Sequence, residues 1–122
     1  MFQNDYIMRQ IETFVRLLAK VLLCKEEDDL FTFSIIEKMG DEADPLLAKL
    51  SRLVDRGEIN EAEDCLFEEL EKGDLKTVET AMCFYKSLND MSDEELESCN
   101  FSREEITEAV KDIGRRFGIV LD

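Results

Sequence analysis

The chain has no histidine and no tryptophan, and only one proline and five glycines among 122 residues. Without histidine, a Cys–His or Ser–His–acid arrangement cannot form, and the usual paired ligands of a zinc site lose half their repertoire. So little proline and glycine leaves small room for a turn-rich sheet protein. No Gly-x-Gly or Gly-Lys-Ser/Thr loop is present to cradle a phosphate. Asp55-Arg56-Gly57 places its glycine too early for a calcium loop. Long apolar runs are missing as well. Asp5, Arg9, Glu12, Arg16 and Lys20 interrupt the N-terminal stretch long before the ~20 apolar residues of a membrane span. The expectation is a protein without catalytic machinery, cofactor or metal, not inserted in a membrane.

What is present is acid and helix former. Lys and Arg number 15 against 30 Asp and Glu, a net charge of −15. The imbalance is uneven. Residues 1–25 carry four bases against two acids, whereas residues 26–122 carry eleven against twenty-eight, a balance of −17. Most of that surface would repel nucleic acid. Paired acids such as Glu68-Glu69 and Glu94-Glu95 carry no catalytic meaning in so acidic a chain. Cys24, Cys65, Cys83 and Cys99 show no close pairing, and Cys65 and Cys83 fall at apolar helical positions. They read as unbridged structural thiols, which places the protein in a reducing cytoplasm.

Apolar periodicity predicts a single all-α domain over 1–122, a compact array of about six helices. The first spans 1–24, with Ile7, Ile11, Phe14, Leu18 and Leu22 at helical spacing. A second carries Leu30 to Met39 and stops near Gly40, although its period also suits a buried extended segment. Asp44-Pro45 opens a third, with an N-cap acid and proline at the first helical position. Helices from Glu61 to Lys72 and from Asp74 to Leu88 complete a 44–89 unit. Capping boxes at Ser92-Asp93-Glu94-Glu95 and Ser102-Arg103-Glu104-Glu105 open two C-terminal helices within 92–122.

Gly57 to Leu70 is the most informative stretch. Gly57 suits the left-handed residue that ends a helix, Asn60 suits a cap, and Ala62 is small enough for two helices to approach closely. With Leu50, Leu53 and Leu66 these residues resemble a tetratricopeptide hairpin. The usual tryptophan and tyrosine of that motif are absent, and the pattern does not return over 75–108. A solenoid needs about three repeats to bury its faces, so other helices or another subunit must cover the pair. An ordinary hairpin in a small bundle is the competing reading.

The first helix has an apolar arc of about 200°, too wide for one packing surface. Its Met8, Val15, Ala19 and Leu22 flank is assigned to a two-fold homodimer seam. The alternative is that another helix of the same chain covers it. Arg9, Arg16, Lys20 and Lys25 also allow a reversible membrane-surface role, opposed by the acidic remainder.

Asn4-Asp5-Tyr6-Ile7-Met8-Arg9, Gly57-Glu58-Ile59-Asn60-Glu61-Ala62-Glu63 and Asn100-Phe101-Ser102-Arg103-Glu104-Glu105-Ile106 resemble an uncharacterised family of small acidic helical proteins from low-GC Gram-positive bacteria. The resemblance implies an all-helical, tetratricopeptide-like domain and carries over no catalytic or binding residue. The function expected is a non-enzymatic protein-interaction module holding a protein or peptide partner through helical surfaces. A self-assembling structural homodimer is its rival.

Overall fold

The computed structural model describes residues 2–23 and 45–121. These contain six α-helices and no strand: α1 (Phe2–Leu23), α2 (Pro45–Asp55), α3 (Ile59–Leu70), α4 (Leu75–Asn89), α5 (Asp93–Ser98) and α6 (Arg103–Arg116). The helix expected around Leu30 to Met39, the Asp44 cap and Cys24 lie outside the described residues.

The centre is α4. Eleven of its fifteen residues are buried, as a helix surrounded on every side requires. It packs against α1, α2, α3 and α6. Asp74 caps it, accepting from the Lys76 N–H at 2.9 Å. The helices α2 and α3 form the expected antiparallel hairpin, with Leu50, Ala62 and Leu66 fully buried and Leu53 half-buried.

Three helix ends close in the same way. After α2, Gly57 takes φ +81°, its N–H reaches Val54 O at 2.8 Å, and Glu58 N–H reaches Leu53 O at 2.8 Å. After α6, Gly118 does likewise, with Ile119 N–H on Gly114 O at 2.8 Å. After α5 the residue is Asn100, at φ +58°, with Phe101 N–H on Leu96 O at 3.0 Å. Each is a Schellman closure, which satisfies carbonyls the helix leaves unpaired. At the α5 end the buried Phe101 and Leu96 supply the apolar pair that accompanies the motif.

Two expectations are corrected. Asn60 is not the cap of α3. The Schellman turn is so short that the helix starts at Ile59, with Glu58 at the cap position and no side-chain bond there. Asn60 lies inside the first turn, and its Nδ2 donates to Asn100 O at 3.4 Å. The second correction concerns α1. Val15 and Ala19, each 1% exposed, are buried by the chain itself, as are Ile11, Phe14 and Leu18. α1 lies against both α4 and α6, so one wide arc serves two neighbours at once. Met8 and Leu22 are half-buried. Val15 and Ala19 therefore have almost no surface left to give a dimer seam. Val21, by contrast, is 53% exposed.

Candidate functional site

A groove of about 920 Å³ is bounded by α2, the C-terminal half of α4, and α5. Its floor is apolar. Leu47, Phe84 and Leu88 are buried there, and Val54 and Met91 are half-buried. Helical spacing delivers them. Leu47, Ser51 and Val54 follow one side of α2, while Phe84 and Leu88 follow one side of α4 and Met91 lies just past its end. Its rim is polar and mixed in sign. Arg52, Asp55 and Arg56 stand on the α2 side, Glu95 and Ser98 on the α5 side. In a chain of net charge −15, a groove edged by two arginines and two acids is unusually neutral.

Local bonding holds α5 in place as one wall. Its capping box is complete: Ser92 N–H donates to Glu95 Oε1 at 2.9 Å, and Glu95 N–H donates to Ser92 Oγ at 3.1 Å. Those bonds from Ser92 hold the Glu95 carboxyl below its ordinary value. Arg103 fixes the wall to α4. This first residue of α6 is buried, and its guanidinium pairs with Asp93 and donates to Met91 O and, at 3.2 Å, to Asn89 O. One side chain thus closes the end of α4 and anchors the start of α5.

On the other side of α4 the chemistry reverses. Phe84 faces the groove, and its ring meets Tyr85 edge-to-face, centroids 5.1 Å apart. Tyr85, fully buried, donates its hydroxyl to Glu63 Oε2 at 2.7 Å. Burial raises the Glu63 pKa. The Tyr85 hydrogen bond opposes that rise, and the charges of Glu105 and Asp64 reinforce it. Burial, followed by the Glu63 charge, pushes the Tyr85 phenol well above its ordinary value. Glu63 belongs to a shallow furrow of about 480 Å³ between α3 and α6, lined also by Glu104, Glu105, Glu108, Asp112 and Arg115 over Phe67 and Ala109.

Among the described residues no group of three or more Cys, Asp or Glu is placed to hold a metal ion. Cys65, Cys83 and Cys99 carry no disulfide. Cys99 is half-buried at the groove, with the Ser98 hydroxyl 3.9 Å from its sulfur.

Of the hairpin residues, Leu50, Ala62 and Leu66 are buried, Leu53 is half-buried, and Gly57 lines the groove. Met8, Val15, Ala19 and Leu22 line neither of these concavities; Val15 and Asn89 border one small void between α1 and α4. Sequence reasoning missed Arg103, Asn100 and Gly114. Arg103 had a signal: it shares the face of Ile106, Val110 and Ile113, where a charged residue must find buried partners. Gly114 had none, because its role depends on the returning C-terminus. A Cβ there would lie 2.9 Å from Ile119 O.

Among the described residues no helix is long and apolar enough to cross a membrane. No curated protein and no solved structure matches the chain. A family model does match, over residues 1–118, nearly the whole length. The chain therefore belongs to DUF6483, a family of unknown function.

Proposed function

We propose that this domain is a non-enzymatic protein-interaction module whose α2/α4/α5 groove holds an amphipathic segment of a protein partner. The observation that carries the reading is the groove itself: an apolar floor of Leu47, Phe84, Leu88 and Met91 under a polar rim. The resemblance of Gly57, Ala62 and Leu66 to a tetratricopeptide hairpin supports it, since helix pairs of that kind hold other proteins. The half-buried thiols Cys65 and Cys99 fit a reducing cytoplasm.

The test fills the groove without disturbing the core. Ser51 and Ser98 line it with exposed side chains, so Ser51→Tyr with Ser98→Tyr should leave the helical content and melting temperature intact. Proteins captured from the native cell by the wild-type chain should be lost by the double variant. If every captured protein is retained, the groove is not the docking site.

A further inference from the structure

Two surfaces of this chain complement each other and cannot meet within one molecule. The first is the outer face of α1. Tyr6, Leu17 and Val21 are exposed there at 68%, 41% and 53%, and Arg9 and Lys20 are exposed beside them. At 100° per residue these five fall within an arc of about 120°, and Tyr6 to Val21 spans about 22 Å along the axis. The apolar residues occupy one edge of the arc and the bases the other. The second surface is the furrow between α3 and α6. Five carboxylates line it with one base, Arg115, and Asp112 at its end pairs with both Arg115 at 3.7 Å and Arg116 at 3.3 Å, which leaves the furrow strongly acidic along Glu104 and Glu108. Glu104, Glu108 and Asp112 recur every fourth residue, a ladder with steps of about 6 Å. Phe67, half-buried with the Arg116 guanidinium 5.1 Å from its ring centroid, and the buried Ala109 lie beneath it. Since α1 lies on α4 and α6 by its inner face, its outer face points away from its own furrow.

We propose that two copies of this chain associate reciprocally, the outer face of α1 of each seating in the α3/α6 furrow of the other around a two-fold axis. Arg9 and Lys20 then lie along the acid ladder, while Tyr6, Leu17 and Val21 leave water beside the half-buried Phe67 and the Arg116 side chain stacked on it. The arrangement matches sign to sign, and it joins the basic first 25 residues to the acidic remainder of the other copy. It uses neither Val15 nor Ala19, and it stands independently of the groove. An anionic membrane would suit α1 alone but would repel the rest of the chain and leave the furrow uncovered.

Charge exchange tests the pairing. One variant reverses the helix face, Arg9→Glu with Lys20→Glu. The other reverses the furrow, Glu104→Lys with Glu108→Lys. All four positions are exposed, and circular dichroism verifies that each variant folds. Sedimentation equilibrium of the wild-type chain should show a dimer that weakens as salt rises. Each variant alone should raise the dimer Kd on the order of tenfold or more. An equimolar mixture of the two should recover the dimer, because both mixed contacts again oppose unlike charges. Leu17→Asp gives an independent loss. A wild-type chain that stays monomeric at submillimolar concentration overturns the proposal. So does a dimer indifferent to both variants, or a mixture that fails to recover. Flotation of a monomeric wild-type chain with phosphatidylglycerol vesicles would assign the α1 face to lipid instead.

Discussion

The two sides of α4 differ as sharply as two surfaces of one small domain can. Phe84 looks into a groove whose rim balances two arginines against two acids. Tyr85, the next residue, supports a furrow of five carboxylates. A turn of 100° separates them. The groove sets apolar side chains beside a rim of balanced charge, whereas the furrow concentrates negative charge that favours a cationic visitor. One central helix thus gives a domain of this size two chemically distinct faces, and the substitutions below act on one face or the other.

Arg103 should have the largest effect. Arg103→Ala removes the guanidinium shared by Asp93, Asn89 O and Met91 O and strands buried carbonyls, at a cost of about 3–5 kcal/mol. Urea denaturation measures the loss, and binding at the groove should fall with it because α5 is no longer held. Arg103→Lys should recover little, since an ammonium cannot reproduce the fork. A variant as stable as wild type would show that α5 stays in place without the clamp.

Overpacking ranks second. Ala62→Leu, at a fully buried position of the α2–α3 hairpin, should cost about 1–3 kcal/mol. Gly114→Ala should cost a similar amount, because the added methyl meets a carbonyl at 2.9 Å rather than a side chain that can move aside. Thermal melts would read both. An unchanged melting temperature for Ala62→Leu would refute close packing in the hairpin.

Tyr85→Phe touches only the acidic side. It takes the hydroxyl from Glu63 and should lower stability by about 1 kcal/mol while leaving groove binding unchanged. Loss of groove binding would mean that the two faces are coupled through the Phe84–Tyr85 ring contact.

The smallest effects concern pH. The folded pKa of Glu63 is raised, so its contribution to stability is complete below the ordinary glutamate value and is lost as pH rises through the folded value. Glu63→Gln should therefore match or exceed wild-type stability at neutral pH, with the gap closing on acidification. The Tyr85 phenol is raised in the same sense. Above the ordinary tyrosine value of about 10 the unfolded chain loses this proton while the folded chain keeps it, so stability falls as alkalinity increases. Tyr85→Phe should remove that part of the alkaline fall in denaturation experiments. Melting temperatures of Glu63→Gln that track wild type below neutrality and fall beneath it at neutral pH would contradict the first assignment.

Local chemistry made much of this legible. Capping boxes at Ser92 and Ser102, the Asp74 cap and the left-handed Gly57 depend on residues within a turn of each other, and their sequence signatures are direct. The wide arc of α1 was visible too, but periodicity reports how much of a helix is covered and not by what. Val15 and Ala19 proved to be covered from within the chain. The groove was hidden for the same reason: Leu47, Phe84, Met91 and Cys99 have no common sequence spacing and meet only when three helices pack. Phe84 alone reads as one more core residue.

The bond from Asn89 Nδ2 to Met8 O spans 81 residues, whereas those Arg103 makes span at most fourteen. Chain closure over the longer distance costs more entropy before any contact rewards it. Helices α4 to α6 can therefore assemble early as a local unit, and α1 docks on a surface already built. On such a pathway the N-terminal helix is the last piece to join and the first to leave. Its amides should exchange with solvent through openings that spare α4, so the chain would pass briefly through forms in which the floor under α1 is bare.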